Sequence, residues 1–363
     1  PSHSTRLSKN DNQVAGYKPA SGQVAAYLPE GEGANVMPSR PDGREFPHPN
    51  PPPEGEGANV LPSRPGGREF LNGVLLLSKP VGLTSNTALQ KAKRLLNAQK
   101  AGHTGTLDPF ADGLLPLCYG EATKFSHYLL DADKTYRAVM QLGVTTTTGD
   151  PEGEVLSTRA VNVSRDDLLA VLPRFLGEIE QIPPMHSALK HQGRPLYEYA
   201  RAGIEIDRPP RRVIIHALDL IECALPQVSF QVRCSAGTYI RTLAQDIGEV
   251  LGCGAHLTAL TRTASGLFDL KNAHTLAHLE TLPADERRLL LLPSDCLVQH
   301  LPEIELDEAA CLALCQGRQV NSQHAATELA RIYDTARQFI GLAQVDHHGA
   351  IVSRRLINTS RQT

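Results

Sequence analysis

The sequence predicts an α+β body built on a mixed sheet flanked by helices, with a small β-rich module behind it and an unfolded extension in front. Three observations predict it. From Asn72 onward, apolar runs of strand length are interspersed with helix-length amphipathic stretches, without strict βαβ order. After Pro293 the texture changes to short, β-prone pieces around Ile304, Leu306, Val320, 340–342 and 350–352. Residues 1–71 are rich in Pro, Gly, Ser, Asn and Glu and poor in aliphatics. The expected divisions are therefore 1–71, 72–292 and 293–363.

Within the extension, the segment Glu30 to Phe46 recurs as Glu54 to Phe70, with a proline-rich run between the copies. Two Pro/Gly-rich copies bury too little apolar surface to offset chain entropy, and a solenoid needs more repeats. Disorder is expected here, and no role is assigned. Gly73 to Ser78 reads as a buried strand and Pro80-Val-Gly82 as a turn. Thr84 and Ser85 offer a helix N-cap, and Ala88, Leu89, Ala92, Leu95 and Leu96 share one face of the helix that follows. Gly102 to Asp112 is a loop, Leu114 to Cys118 a strand, Glu121 to Leu130 a helix and Tyr136 to Leu142 a strand. Ser164 caps a helix through Leu176, and Leu196 to Ala202 is helical. Val213 to Ile221, Val228 to Cys234 and His256 to Leu260 are strands around a helix from Ile240 to Leu251.

With 363 residues and 41% hydrophobic content, a sizeable core is available. No apolar run is long enough to span a bilayer, and the start carries no secretory pattern, so no membrane partner is expected. The seven cysteines are scattered and odd in number, which points to a reducing cytoplasm rather than a disulfide framework. Cys253 and His256 form a lone C-x-x-H, a poor zinc site without a second pair, so no metal is expected. The net charge of −3 gives no global field for nucleic acid. Residues 72–137, however, carry 8 Lys/Arg against 5 Asp/Glu, a local excess that could meet phosphates or simply form a solvated helix face.

Chemistry concentrates in Gly102-His-Thr-Gly-Thr-Leu-Asp-Pro-Phe-Ala-Asp-Gly-Leu114. The glycines permit tight turns and close ligand approach. Pro109 biases Asp108 toward an extended or turn geometry, so a carboxylate sits on a stiff loop beside an apolar strand. By spacing alone, the reading that such an Asp caps its own turn wins. Lys79-Pro80, Asp133-Lys-Thr-Tyr136-Arg137, Gly237-Thr-Tyr239-Ile-Arg241 and Gly252-Cys-Gly-Ala-His256 place further cations and aromatics at element ends. Each taken singly also fits a structural role.

These segments resemble the bacterial tRNA pseudouridine-55 synthases, the TruB family. NGVLLLSKPVGLTSN, AGHTGTLDPFADGLLPLCYGEATKF, DKTYRAVMQLG, QIPPMHSALKHQGRPLYEYARAG, CSAGTYIRTLAQDIGEVLGCGAH and LTRTASG occur in family order from about Asn72 to Gly266. The resemblance implies a pseudouridine-synthase sheet, a C-terminal PUA-like RNA-binding module, and isomerisation of uridine 55 in the T-loop of tRNA. It further implies Asp108 as nucleophile, Tyr136 against the base and in proton handling, and Arg241 paired with Asp108. Tyr239 and Leu260 would line the pocket, His103 would enter the RNA loop, and Lys79 and Pro80 would belong to the substrate site. A carboxylate nucleophile splits the reaction into easier steps, at either ribose C1′ or uracil C6. No redox change or group transfer is involved, so no cofactor is expected. An adjacent Arg241 is expected to favour the ionised carboxylate by about 1–3 pKa units, and extrusion of a stacked base costs about a few kcal/mol.

Two positions depart from the family pattern: Thr147, where Asp is common, and Thr261, where an Arg is common. The second leaves Arg262 as the expected phosphate contact. A monomer acting on the tRNA T-stem-loop is the leading expectation. A tRNA-folding chaperone and a guide-RNA-dependent synthase are the competing ones.

Overall fold

The computed structural model describes residues 68–358, so the expected disorder and the repeat fall almost wholly outside the described residues. In chain order the first half contains β1 (Gly73–Lys79), α1 (Ser85–Leu95), β2 (Ala101–His103), β3 (Asp112–Tyr119), α2 (Ser126–Leu130), β4 (Lys134–Leu142), β5 (Val144–Thr146), β6 (Val155–Thr158), α3 (Arg165–Val171) and β7 (Gly177–Gln181). Then come β8 (Lys190–His191), β9 (Arg194–Pro195), α4 (Leu196–Arg201), β10 (Arg211–Ala224), β11 (Gln227–Cys234), α5 (Ile240–Val250), β12 (Ala255–Ser265), β13 (Phe268–Asp269), β14 (His274–Thr275), α6 (Leu276–Thr281) and α7 (Ala284–Leu289). The last part holds β15 (Glu303–Leu306), α8 (Glu308–Cys315), β16 (Val320–Asn321), β17 (Thr327–Asp334), β18 (Phe339–Val345) and β19 (Ala350–Leu356).

The main sheet runs β14-β1-β3-β12-β4-β11-β10-β7, with β2 paired on β3 and β13 on β12. It is mixed, because β1–β14 and β3–β12 are parallel and the other main pairings antiparallel. A second sheet, β15-β17-β18-β19-β16, forms the C-terminal module.

Strand alternation places the cores. Successive side chains of a strand point to opposite faces. In β1, Leu75 and Leu77 therefore join Leu115, Leu117 and Tyr119 of β3 beneath Ala88, Leu89 and Ala92 of α1. Val74 and Leu76, pointing the other way, join Leu114, Cys118 and Phe125. That second cluster continues into the C-terminal module through Tyr333, Phe339, Leu342 and Ile357. A third core gathers Met140, Phe230, Leu243, Ile247 and Leu257 between β4, β11, β12 and α5.

Several expectations need correction. Pairing starts before Asn72: Glu69 donates its backbone N–H to the Asn97 carbonyl (2.8 Å) and accepts from Gln99 (2.9 Å). The stretch 121–130 is a 3-10 turn over Gly120–Lys124 followed by the short α2, interrupted at Phe125, rather than one helix. β10 and β12 run longer than expected, and β2 forms inside the presumed loop. The C-terminal module contains a helix, α8, that covers its sheet. Among the described residues no helix is long and apolar enough to cross a membrane.

Candidate active site

The loop between β2 and β3 carries Asp108, and the fold clamps it from three sides. The buried Ser85 hydroxyl, at the start of α1, accepts from Leu107 N–H (2.7 Å) and donates to the Leu107 carbonyl (3.0 Å). From the turn after β1, Gly82 N–H donates to the Pro109 carbonyl (2.7 Å). Beneath the loop, Arg262 of β12 donates from Nε to the Leu114 carbonyl (2.7 Å) and from Nη2 to that of Gly105 (3.2 Å). Gly113 is required where β3 leaves this loop. Its φ is +102°, and a Cβ there would lie 2.4 Å from the Arg262 carbonyl oxygen.

So clamped, the Asp108 carboxylate faces a cation instead of its own turn. Arg241, in the first turn of α5 and 3% exposed, brings Nε to 3.0 Å from Asp108 Oδ2. The same guanidinium reaches Asp150 Oδ2 at 3.3 Å. It also donates to the carbonyls of Thr148 (2.9 Å) and His186 (2.7 Å). Every arm of the fork is engaged, which holds it in one orientation. Asp150 is held in turn by the Thr148 hydroxyl and by Glu152 N–H (3.0 Å). Asp150, Thr148 and His186 were not among the sequence candidates. The signal was present only as an Asp before Pro151 after a threonine run, which reads as a turn.

Leu107, Asp108 and Arg241, with Thr106, Ser187 and Ala188, line both of two adjoining clefts. One, of about 370 Å³, is lined by Tyr136, Tyr239, Leu260, Arg262 and Lys134. The other, of about 500 Å³, is lined by His103, Thr148, Asp150, His186, Tyr197 and Arg201. The structure thus gathers Tyr136, Tyr239, Leu260, Arg241 and Asp108 on the first cleft and puts His103 on the second. Tyr239 is set at the start of α5 by Gln181 of β7, which accepts from its N–H (3.0 Å) and donates to its carbonyl (3.2 Å).

Two residues do not stand where expected. Lys79 is completely buried, and its Nζ donates to the carbonyls of Pro80 (2.9 Å) and Leu83 (2.7 Å). It braces the turn that holds Pro109 rather than presenting a cation to substrate, while Pro80 is exposed on that turn. Arg262 is only 1% exposed, so it is no phosphate contact at the surface.

Burial dominates the electrostatics. Enclosure pushes the Asp108 carboxyl above the usual carboxylate range, although Arg241 and Lys79 pull it down; the neighbouring Asp150 adds to the rise. Arg241 pulls in the expected direction, but desolvation outweighs it. The Asp108 side chain is 34% exposed, within the clefts it lines. Burial lowers Lys79 to about 8, against the pull of Asp112 and Asp108. His103 is held below its ordinary value by burial and by Arg262. Burial raises Tyr136, with Arg262 opposing. Among the described residues no cluster of three or more His, Cys, Asp or Glu could hold a metal ion.

Comparison with known proteins agrees with this architecture. Residues 93–240 match the TruB family pseudouridylate synthase N-terminal domain. Residues 241–299 match the tRNA pseudouridylate synthase B C-terminal domain, and 302–357 match the C-terminal domain of pseudouridine synthase II TruB. A tRNA pseudouridine synthase B from Thiobacillus denitrificans is 68% identical over 289 residues, covering 80% of this chain and 97% of that protein. Its counterpart in Chromobacterium violaceum is 54% identical, over 80% and 96%. Among solved structures, a Cbf5-Nop10-Gar1 complex shares the fold with a TM-score of 0.61 at 28% identity, over 80% of this chain and 87% of that one. The chain belongs to the TruB family of pseudouridylate synthases.

Proposed function

We propose that the chain converts uridine 55 in the T-loop of tRNA to pseudouridine, with Asp108 as nucleophile on a nucleotide turned out of its stack. The observation that carries this reading is the Asp108–Arg241 ion pair at 3.0 Å, set at the shared edge of two clefts. A carboxylate oriented by a fully engaged guanidinium, next to a cleft sized for a small ring, has the geometry of a nucleophile and not of a turn cap. Relatives that match over nearly their whole length are named for tRNA, which supports that substrate.

The uracil ring would enter the cleft of Tyr136, Tyr239 and Leu260, where an aromatic face and an aliphatic wall suit a flat, mildly polar base. On the ribose route, an Asp108 Oδ–C1′ bond forms as the N1–C1′ bond breaks with its electron pair leaving on N1. That ester bond breaks, returning the carboxylate, when C5 joins C1′ with the C5=C6 pair. After the ring turns and C5 joins C1′, Tyr136 takes the proton from C5. The C5–H electron pair forms C5=C6, the N1=C6 pair moves onto N1, and N1 takes up one proton. Atoms and electrons balance, so the change is an isomerisation. Arg241 keeps the carboxylate aimed and favours its charged form. The C-terminal module, by its position, would contact the tRNA body.

The test is turnover on unmodified tRNA with mapping of the product. Native protein should yield pseudouridine at the T-loop uridine without added protein or guide RNA. Asp108→Asn should abolish product while keeping tRNA affinity within a few-fold. Product formed by that variant overturns the nucleophile assignment. Product elsewhere in the tRNA overturns the site assignment.

A further inference from the structure

The geometry points to Arg262 as a positioning residue for the proton transfer: a buried counter-ion, with no carboxylate partner of its own, that stabilises the phenolate form of Tyr136. This inference rests on the proposed role of Tyr136 as the group that takes the C5 proton.

Arg262 and Tyr136 are cross-strand partners on β12 and β4, and both line the smaller cleft. Arg262 is 1% exposed and donates to the neutral carbonyls of Leu114 and Gly105, and a further side-chain hydrogen bond joins it to Tyr136. No carboxylate lies within ion-pair distance of it among the described residues. A second buried cation repeats the pattern: Lys134, also on the cleft, spends its ammonium on the carbonyls of Leu129 (3.1 Å), Leu130 and Ala132 (2.6 Å).

Burying a charge with no counter-ion is costly, and such cost is usually compensated by an anion. The charged or titratable groups around the pair are Lys134 on β4, Lys79 on β1, His103 on β2, Cys234 on β11, and the carboxylates Asp108 and Asp112. Asp108 is committed to Arg241; Asp112 stands at the start of β3 beside both Lys79 and Arg262, yet outside ion-pair distance of either. The anion missing at rest is the one that appears when Tyr136 is ionised. Burial opposes that ionisation and Arg262 favours it. The site is thus electropositive before charge develops, the arrangement that stabilises a transient anion without reorganisation.

The test combines Arg262→Gln and Arg262→Lys with 3-fluorotyrosine, a more acidic phenol, at position 136. Single-turnover rates on unmodified tRNA are followed against pH. In R262Q the rate at neutral pH should fall about 10²-fold, in R262K less, with tRNA affinity within about threefold. The ascending limb of the pH profile should move up by at least about one unit. 3-Fluorotyrosine should move it back and recover most of the lost rate, and a C5-deuterium isotope effect should grow in the variants. A structural defect would lower the rate without moving the limb and would not be rescued by a more acidic phenol; that result overturns the inference. If R262Q does not fold, R262K with and without 3-fluorotyrosine decides by the same comparison. Tyr136→Phe separates the two readings. If it turns over at the native rate, the underlying role of Tyr136 fails; if it is inactive while the Arg262 profiles stay native, only this inference fails.

Discussion

At Asp108, enclosure and the Asp150 charge favour the neutral acid, while Arg241 and Lys79 favour the carboxylate, and enclosure prevails. If the ionised form is the nucleophile, as proposed, the active fraction must fall as pH drops through this raised value. Below the limb set by Tyr136, the single-turnover profile should therefore steepen again at a second, lower limb set by Asp108, which should lie above the ordinary aspartate value of about 3.9. Arg241→Gln should push the limb higher still, because the attracting cation is lost, and slow the reaction at every pH. A limb at or below the ordinary value, or one that moves down in R241Q, would contradict the assignment. Asp150→Asn removes a repelling charge from Asp108 but also one anchor of Arg241. Its limb should move down while its plateau rate falls. At this scale Asp108 was legible through the family resemblance of the GTLDP motif, because by spacing alone an Asp-Pro on a short loop reads as a turn cap. Asp150 was illegible, since its importance comes from a contact with a side chain far along the chain. Lys79 was misread because a cation at a strand end is normally exposed; here the turn closes over it.

The nucleophile loop depends on neighbouring elements for its shape. Removing the Ser85 hydroxyl breaks both bonds to Leu107 and leaves a buried N–H and carbonyl unpaired, at a cost of about 1–3 kcal/mol. Ser85→Ala should lower the melting temperature and reduce turnover more than tRNA affinity. Gly113→Ala meets backbone at 2.4 Å in a left-handed region and should destabilise by at least about 2 kcal/mol. Gly102→Ala has open space in every direction and negative φ, and should be tolerated in the same denaturation assay. The elements that the sequence made plain were those with strong local patterns. The apolar run of β1, the capped amphipathic α1 and the helix α5 formed where expected. β2 is three residues long and contains a glycine, so it forms only because β3 offers it an edge. β7, Gly-Glu-Ile-Glu-Gln, is polar because it is an edge strand with solvent on one side, which hides its period. The interruption at Phe125 reflects the burial of that ring against Phe339, a tertiary contact that no local rule contains.

The whole described molecule is less divisible than its sequence texture suggests. The change after Pro293 was a real signal of a second sheet, but the core runs across it. Phe125 meets Phe339 edge-on at 5.4 Å, and Lys124 donates to the Leu356 carbonyl (2.9 Å). Glu121 accepts from Asn358 N–H (2.7 Å). Calorimetry should show one cooperative transition for the described body rather than two. Phe339→Ala should lower the stability of the whole body by about 3 kcal/mol or more, read as a shift of that single transition. Two resolved transitions would show that the module melts independently. The shared edge that carries Asp108 has a consequence at this scale. With two adjoining clefts meeting at that carboxylate, the severed heterocycle has room to stay while the sugar–phosphate strand keeps its grip next to it. Such an arrangement favours rejoining over escape: free nucleobase should hardly leak into solution, and an abasic scar in the RNA should be rare.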